Sequence, residues 1–201
     1  MNKIIYQGAE STIEVTKANT ILKKRFPKTY RHKELDMQFN KYRTRAEAKI
    51  LQRLQDNKIG APELIEVNEK TFTIEMEYIQ GGMLKNVLTK ANTTPLAKKL
   101  AQIIAKLHNA NIIHADLTTS NILVREDTIF LIDFGLSYVS KKVEDKAVDI
   151  HLLNQATASS HHKIHAEFMK QFLKTYFAKV EETEIIKKRL EVVQSRGRNK
   201  Q

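Results

Sequence analysis

The sequence predicts an α+β fold in which a β-rich N-terminal half with one long helix precedes a mainly helical C-terminal half. Short apolar runs that are β-branched or alternate with polar residues fill the N-terminal half, apart from one helical stretch. Beyond it, apolar residues recur mainly at the spacings of three and four that are typical of amphipathic helices. A Gly-Gly pair at 81–82 favours a turn, so we predict domains at 1–80 and 81–194 and a basic tail at 195–201.

Composition and charge limit the classes of function. The chain has 201 residues and no cysteine, which allows a sizeable core and excludes disulfides and zinc–thiolate sites. No apolar run approaches the length of a membrane span and no secretory signal is visible, so we expect a cytoplasmic protein, also nuclear in a eukaryote, without a membrane partner. The net charge of +11 favours an acidic partner such as nucleic acid, with a solubilising surface as the alternative.

Three strands are predicted before the long helix. The first two flank a turn in which Gly8 permits a tight backbone path, while Ser11 and backbone N–H groups can meet a phosphate. The third, at 20–23, carries Lys23, and Lys24 faces the opposite side because side chains alternate along a strand. An ordinary exposed lysine is the alternative for Lys23.

Residues 32–57 are predicted to form the long helix, because apolar residues recur there at spacings of three and four. The predicted apolar stripe is Leu35, Phe39, Tyr42, Ala46, Ile50 and Leu54. Glu47 lies beside this stripe, where a surface ion pair with Arg43 or Lys49 is the alternative to a role in a site. Two more strands follow in the N-terminal half, and the second alternates apolar with polar residues, so we expect it to bury one face.

The C-terminal half is predicted to contain helices around one β-hairpin. Pro95 stands in the first turn of one helix. A later helix is predicted to begin at Ser159 or Ser160, with nearby histidines on its exposed face. His161 and His165 have a spacing that can bind metal, but no third strong ligand is near them, so we do not expect a metal site there.

The most informative stretch begins with the motif His-x-Asp at 114–116, which is followed by Asn121. Residues 122–132 form two short apolar runs separated by charged residues, as in a β-hairpin. A tight hairpin brings its outer ends together, so Asn121 and Asp133 would face one point, with Asp116 close by. Two carboxylates and an amide oxygen suit Mg²⁺, which takes few protein oxygens and completes its shell with phosphate and water.

These motifs resemble the protein-kinase pair His-x-Asp-(four residues)-Asn and Asp-Phe-Gly. The resemblance implies that Asp116 is the catalytic base and that Asn121 and Asp133 hold Mg²⁺. It also implies that Lys23 pairs with the phosphates of ATP and that Glu47 holds Lys23 through an ion pair.

The same resemblance implies further ATP-binding positions. The turn between Gly8 and Ser11 takes the place of the glycine-rich loop, although it has one glycine where kinases usually have three. Met76 takes the place of the gatekeeper residue behind the adenine, in a segment that resembles the hinge between kinase lobes. The Glu77 carbonyl and the Ile79 N–H would bind the adenine edge.

Two residues are implied to support the catalytic loop, His114 within it and Asp149 on a later helix. The alternative for Asp149 is an exposed acid in the first helical turn, which the helix dipole favours. The sequence also departs from protein kinases. Thr118 stands where they usually place a lysine, and no Ala-Pro-Glu motif follows Gly135.

Six segments narrow the resemblance to one family. They are Lys-Arg-Phe-Pro-Lys-Thr-Tyr-Arg-His (24–32), Arg-Thr-Arg-Ala-Glu-Ala (43–48), Asp-Leu-Thr-Thr-Ser-Asn (116–121), Ile-Asp-Phe-Gly-Leu-Ser (132–137), Glu-Asp-Lys-Ala-Val-Asp (144–149) and Ser-Arg-Gly-Arg (195–198). Together they resemble the small atypical kinase/ATPase subunit of the KEOPS (EKC) complex over nearly the whole chain. In two places the chain departs from that family: Ala115 replaces a usual glycine, and Asn199 interrupts the basic tail.

This resemblance implies a bilobal, protein-kinase-like fold with a reduced C-lobe and with ATP and Mg²⁺ as cofactors. The implied activity is that of a Ser/Thr kinase and ATPase that supports tRNA threonylcarbamoyladenosine synthesis. The implied partners are a threonylcarbamoyltransferase subunit, other KEOPS subunits and, through the complex, tRNA. Arg196 and Arg198 would contact the partner or the RNA. A small-molecule phosphotransferase of the aminoglycoside/choline-kinase type and a non-catalytic scaffold are the alternatives.

Overall fold

The computed structural model describes residues 2–28 and 32–198, with side chains described up to Arg196. The chain forms two compact units, Met1–Gln80 and Gly81–Gln201. An antiparallel sheet dominates the first unit and helices dominate the second. This arrangement confirms the α+β fold class that the sequence predicts.

The first unit contains a five-stranded sheet and one long helix. Its elements are β1 (Lys3–Gln7), β2 (Ser11–Val15), β3 (Thr20–Arg25), α1 (Lys33–Asp56), β4 (Leu64–Asn68) and β5 (Thr73–Glu77). The strands are antiparallel in the spatial order β1-β2-β3-β5-β4, and α1 packs along β4 and β5. The central strand β3 pairs Lys23 with Ile13 of β2 and with Ile74 of β5, so the backbone around this lysine is fixed on both sides.

The helix α1 buries a different face from the one predicted, and the predicted stripe is wrong over the first half of the helix. Leu35, Phe39 and Tyr42 are exposed. The buried residues there are polar, namely Asp36, Asn40, Thr44 and Glu47. Asn40 Nδ2 donates to Asp36 Oδ2 at 3.1 Å, and the Lys28 N–H donates to the same oxygen at 3.2 Å. These hydrogen bonds offset the cost of burying a carboxylate, and apolar burial begins only at Ala48.

The second unit is built from helices around short strands. Its elements are β6 (Gly82–Met83), α2 (Leu84–Val87), α3 (Thr93–Asn109), β7 (Ile112–Ile113), β8 (Ile122–Arg125), β9 (Thr128–Leu131), β10 (Tyr138–Val139), α4 (Val143–Ser160), α5 (His165–Phe177) and α6 (Thr183–Arg198). α3 packs against α5, and α4 packs against α6. The strands form the sheets β6-β8-β9 and β7-β10. Within the described ranges, 2–28 and 32–198, no helix is long and apolar enough to cross a membrane.

Two predictions about the C-terminal helices are wrong. α4 continues through Ser160, so the predicted helix start at Ser159 or Ser160 is instead a helix end. His161 follows α4 and His165 begins α5, so the two histidines do not share one helix. His165 has a hydrogen-bond partner in α4, because the Thr157 hydroxyl lies 2.9 Å from His165 Nδ1.

Part of the predicted basic tail at 195–201 is helical, because α6 extends through Arg198. Arg196 Nη1 donates to Glu144 Oε1 at 2.8 Å, and Arg189 Nη1 lies 3.0 Å from Glu144 Oε2. A carboxylate in the first turn of α4 therefore holds the end of α6. The Arg198 side chain and residues 199–201 lie outside the described residues.

Candidate active site

Lys23 and Glu47 form a buried ion pair in the first unit. Lys23 Nζ lies 2.8 Å from Glu47 Oε1, and the two side chains are 8% and 2% exposed. Lys24, the next residue on β3, is exposed, as strand alternation predicts. A lysine is rarely buried without a partner, because removing its charge from water is costly. Neither residue is the surface group that the alternative readings described.

A second cation, which the sequence analysis did not identify, contacts the same carboxylate. Arg25 Nη2 binds Glu47 Oε2, and Arg25 Nη1 lies 3.4 Å from Thr44 Oγ1. Arg25 and Thr44 are both buried. The sequence position of Arg25 could have indicated this contact. Residues two apart on a strand share a face, and Arg25 stands two residues after Lys23.

The turn between β1 and β2 is closed by its own backbone. The Gly8 N–H donates to the Ser11 carbonyl at 2.9 Å, so this N–H already has a partner. No described glycine has a positive φ, so the chain does not use Gly8 for a left-handed turn. Space does not require glycine either: a Cβ at Gly8 would lie 3.0 Å from the Tyr6 ring, but Tyr6 is exposed and its side chain can move. Two cations reach this turn, Lys28 at the Ala9 carbonyl and Arg43 at the Glu10 carboxylate.

The predicted adenine-edge residues lie at and after the end of β5. Met76 is buried and is paired with Ile21 of β3 on one side and with Leu64 of β4 on the other. The Glu77 N–H donates to the Glu63 carbonyl at 2.8 Å. Ile79, two residues further along the chain, is 4% exposed. Strand pairing, a backbone hydrogen bond and burial therefore hold Met76, Glu77 and Ile79, respectively, where the chain leaves the sheet.

In the second unit, the loop between β7 and β8 joins Asp116 to Asn121. Asn121 Nδ2 donates to Asp116 Oδ2 at 2.8 Å and to the Asp116 carbonyl at 2.9 Å. The Thr118 N–H also donates to the Asp116 carbonyl, at 2.9 Å. These bonds fix the orientation of the Asp116 carboxylate. Asp116 is half-buried, so the carboxylate still reaches solvent.

The hairpin of β8 and β9 brings the chain before Asp133 back to Asn121. Ile122 pairs with Leu131, and the Ile132 N–H donates to the Asn121 carbonyl at 3.0 Å. Asp133 is exposed and has a φ of 62°, a left-handed conformation that Asp tolerates better than most residues. Backbone hydrogen bonding thus places Asn121 and Asp133 at the same end of the hairpin, as its short turn predicts.

These oxygens fit a magnesium ion that shares its shell with phosphate. The amide nitrogen of Asn121 donates to two oxygens of Asp116, which leaves Oδ1 as the amide atom that a hard cation would take. Within residues 2–28 and 32–198 no three His, Asp or Glu side chains cluster in a way that could hold a metal alone. A site with two protein ligands fits Mg²⁺, because this ion keeps several waters and binds substrate phosphates.

His114 links the loop to the hairpin. Its Nε2 donates to the Ile132 carbonyl at 3.2 Å, and its Nδ1 accepts from the Asp116 N–H at 3.3 Å. One neutral tautomer satisfies both bonds. Burial lowers the pKa of His114, in spite of the opposing effect of Asp149, so the neutral form is favoured.

Asp149 of α4 supports the loop from behind. Its Oδ2 accepts from the His114 N–H at 2.7 Å and its Oδ1 from the Ala115 N–H at 2.8 Å, and the residue is fully buried. It is therefore not the exposed first-turn acid of the alternative reading. His108 Nε2 lies 3.3 Å from Asp149 Oδ2, and His108 Nδ1 lies 2.7 Å from the Tyr176 hydroxyl. His108 and Tyr176 could not be predicted from the sequence, because their alignment depends on how α3, α4 and α5 pack.

Comparisons with known proteins identify the family of this chain. The RIO domain model matches residues 2–179. The EKC/KEOPS complex subunit BUD32 of Encephalitozoon cuniculi is 41% identical over 197 residues, which cover 98% of this chain and 95% of that protein. The chain belongs to the RIO-domain family and, within it, to the group of KEOPS Bud32 subunits. The family that the sequence motifs resemble is thereby confirmed.

A longer relative shares the same region. A probable bifunctional tRNA threonylcarbamoyladenosine biosynthesis protein of Methanosarcina mazei is 34% identical over 200 residues, which cover 98% of this chain. The chain spans 35% of the length of that protein. The shared region is therefore one part of the longer relative.

Among solved structures, the Rio2 kinase–ADP/Mg²⁺–phosphoaspartate complex from Chaetomium thermophilum has a TM-score of 0.67 to this chain. The match covers 98% of this chain and 70% of that one, at 17% identity. At this level of identity the likeness concerns the fold alone, which is protein-kinase-like.

Proposed function

We propose that this chain is a Mg–ATP-dependent atypical Ser/Thr kinase and ATPase that acts as the kinase subunit of a KEOPS complex in tRNA threonylcarbamoyladenosine synthesis. Its partners would be a threonylcarbamoyltransferase subunit and other KEOPS subunits, with tRNA reached through the complex. The names of the relatives support this assignment. The net charge of +11 suits a protein that works beside RNA.

The observation that carries the proposal is the fixed contact between Asp116 and Asn121, with Asn121 Nδ2 2.8 Å from Asp116 Oδ2. It holds a half-buried carboxylate beside an amide oxygen that suits a cation. In phosphoryl transfer, catalysis is mostly positioning and charge stabilisation, so an oriented carboxylate is the group that a nucleophilic hydroxyl or water requires. A scaffold would not require this arrangement.

The remaining roles follow the chemistry of each group. Bound Mg²⁺ would neutralise phosphate charge, held by Asn121 and Asp133. Lys23, oriented by Glu47, would bind the phosphates, and Asp116 would orient and deprotonate the nucleophile. The proposed contacts with the rest of ATP come from Gly8, Ser11, Met76, Glu77 and Ile79. His114 and Asp149 would hold the loop, and Arg196 and Arg198 would contact the partner or the RNA.

The test compares Mg²⁺-dependent ATP turnover of the isolated chain with that of the reconstituted complex plus tRNA. Asp116→Asn keeps the shape of the side chain but removes proton acceptance, so turnover should fall on the order of 10²–10⁴-fold. Formation of threonylcarbamoyladenosine by the complex should fall with it. Asp127→Asn is the matched control, because Asp127 lies in the hairpin turn with its side chain 92% exposed.

Turnover by Asp116→Asn at the rate of the control variant would contradict the catalytic role. Unchanged tRNA modification by a complex that contains an inactive Asp116→Asn chain would show that the modification does not require ATP turnover by this chain. The chain would then turn over ATP without that turnover serving the modification.

A further inference from the structure

Arg25 is a buried cation that the proposed mechanism does not use. It stands on β3 two residues after Lys23, so both side chains lie on the same face of the sheet while Lys24 is exposed between them. The Arg25 side chain is 4% exposed. Arginine is almost never buried to this degree unless it is paired, so its partner indicates its role.

That partner is the carboxylate that also holds Lys23. Glu47 Oε1 accepts from Lys23 Nζ at 2.8 Å, and Glu47 Oε2 accepts from Arg25 Nη2. The Glu47 side chain is 2% exposed, so water competes little for either oxygen. Each carboxylate oxygen is thus assigned to one cation.

The second arm of the guanidinium contacts α1 one turn before Glu47. Arg25 Nη1 lies 3.4 Å from Thr44 Oγ1, and Thr44 is fully buried. The planar fork of arginine can meet two groups on one helix at once, which a lysine ammonium cannot do with the same geometry. Arg25 therefore links β3 to two side chains of α1, Thr44 and Glu47.

We propose that Arg25 is a positioning residue for nucleotide binding: by occupying Glu47 Oε2 it keeps Oε1 on Lys23 before any nucleotide is present. Without Arg25 the glutamate can rotate about its side-chain torsions, and Lys23 would share a carboxylate that is no longer oriented. Such pre-organisation improves binding because less freedom is lost when the ligand arrives. The inference rests on the proposed function in one respect, namely that Lys23 binds the phosphates of ATP.

The contacts that hold Glu47 come from two elements of the first unit. Lys23 and Arg25 come from β3, and Glu47 and Thr44 come from α1. The lysine would therefore be oriented in the isolated chain, without a partner protein or a modification. A role in anchoring α1 alone would instead appear as lost stability, with the kinetics of the folded molecules unchanged.

The experiment uses the full chain and the variants Arg25→Met and Arg25→Lys. The matched control is Arg45→Met, which removes an arginine from an exposed ion pair between α1 and Glu69. With the folded fraction measured for each, Arg25→Met should raise the KM for ATP and lower kcat/KM on the order of 10–100-fold, the scale expected for small misplacements. Arg25→Lys should recover part of that loss, and Arg45→Met should match the wild type.

A second readout needs no nucleotide. In the ligand-free protein, the Lys23 ammonium should give a slowly exchanging signal in a ¹⁵N–¹H spectrum, assigned with Lys23→Arg. That signal should broaden or vanish in Arg25→Met and persist in Arg45→Met. An unchanged Lys23 signal, or wild-type kcat and KM in Arg25→Met, would overturn the inference. Failure of the wild type to bind or turn over Mg–ATP, with the Lys23 signal lost in Arg25→Met, would instead refute only the proposed function.

Discussion

At the scale of single residues, Ala115 shows that the loop between β7 and β8 is strained. Its φ is 64°, in the left-handed region that costs an L-residue with a Cβ roughly 1–2 kcal/mol. Its N–H donates to Asp149 Oδ1 at 2.8 Å, so a side chain of α4 holds the residue in this conformation. The usual glycine of the family would adopt this conformation without that cost.

We therefore expect Ala115→Gly to stabilise the protein by up to about 1 kcal/mol, less the entropy that glycine adds to the unfolded chain. Urea unfolding of the full chain measures the change. Ala156→Gly inside α4 is the control with the opposite expected sign, a loss of about 0.5–1 kcal/mol. Equal destabilisation by both substitutions would show that position 115 is not strained.

At the scale of elements, the turn between β1 and β2 is held by a backbone hydrogen bond and by an ion pair. Arg43 of α1 binds the Glu10 carboxylate, and the two side chains are 22% and 44% exposed. Exposed pairs of this kind contribute up to about 1 kcal/mol and weaken in salt. If the turn contacts phosphate, its position should affect ATP binding.

Glu10→Gln and Arg43→Gln should each raise the KM for ATP by about 2- to 5-fold, the factor that corresponds to about 1 kcal/mol or less. The double variant should be less than additive, because each single change breaks the same contact. The effect should shrink at high salt. Two fully additive changes in KM would argue against a shared role of this pair.

The end of α6 is a second element with a functional prediction. Arg196 is bound to Glu144 in the isolated chain, so an acidic partner or RNA would have to compete with that contact. Removing residues 195–201 should leave ATP turnover of the isolated chain nearly unchanged but weaken complex-dependent tRNA modification. The binding deficit should become smaller at high salt. Equal tRNA modification with the full-length and the truncated chain at every salt concentration would show that residues 195–201 have no role in the modification.

At the scale of the whole molecule, three histidines should make the stability of the fold depend on pH. Burial lowers the pKa of His114, His161 and His165 below the ordinary value of 6.5, with Lys85 as a further cause at His161. The unfolded chain therefore binds more protons than the folded one as the pH falls through this value. Stability should be full above about pH 6.5 and decline below it. The urea midpoint should be lower at about pH 5.5 than at about pH 7.5, and equal midpoints would contradict the assignment.

The sequence predicted what depends on local pattern. Alternation along β3 places Lys23 and Lys24 on opposite faces of the strand. The hairpin that returns towards Asn121 follows from two short apolar runs and the charged turn between them. The buried face of α1 could not be predicted, because Asp36 is satisfied partly by the backbone of Lys28, which lies before the helix. Arg25 was missed for a similar reason, since its partner is Glu47, 22 residues away along the chain.

The most direct test of the central claim is calorimetric binding of ATP to the isolated chain with and without Mg²⁺. We expect Mg²⁺ to strengthen binding to the wild type and to Asp127→Ala, which removes an exposed hairpin carboxylate and its ion pair with Lys99. Asp133→Ala should remain folded and lose most of the Mg²⁺ dependence, because its proposed role is coordination. Nucleotide binding that is equally Mg²⁺-dependent in Asp133→Ala, or absent in the wild type, would contradict the account.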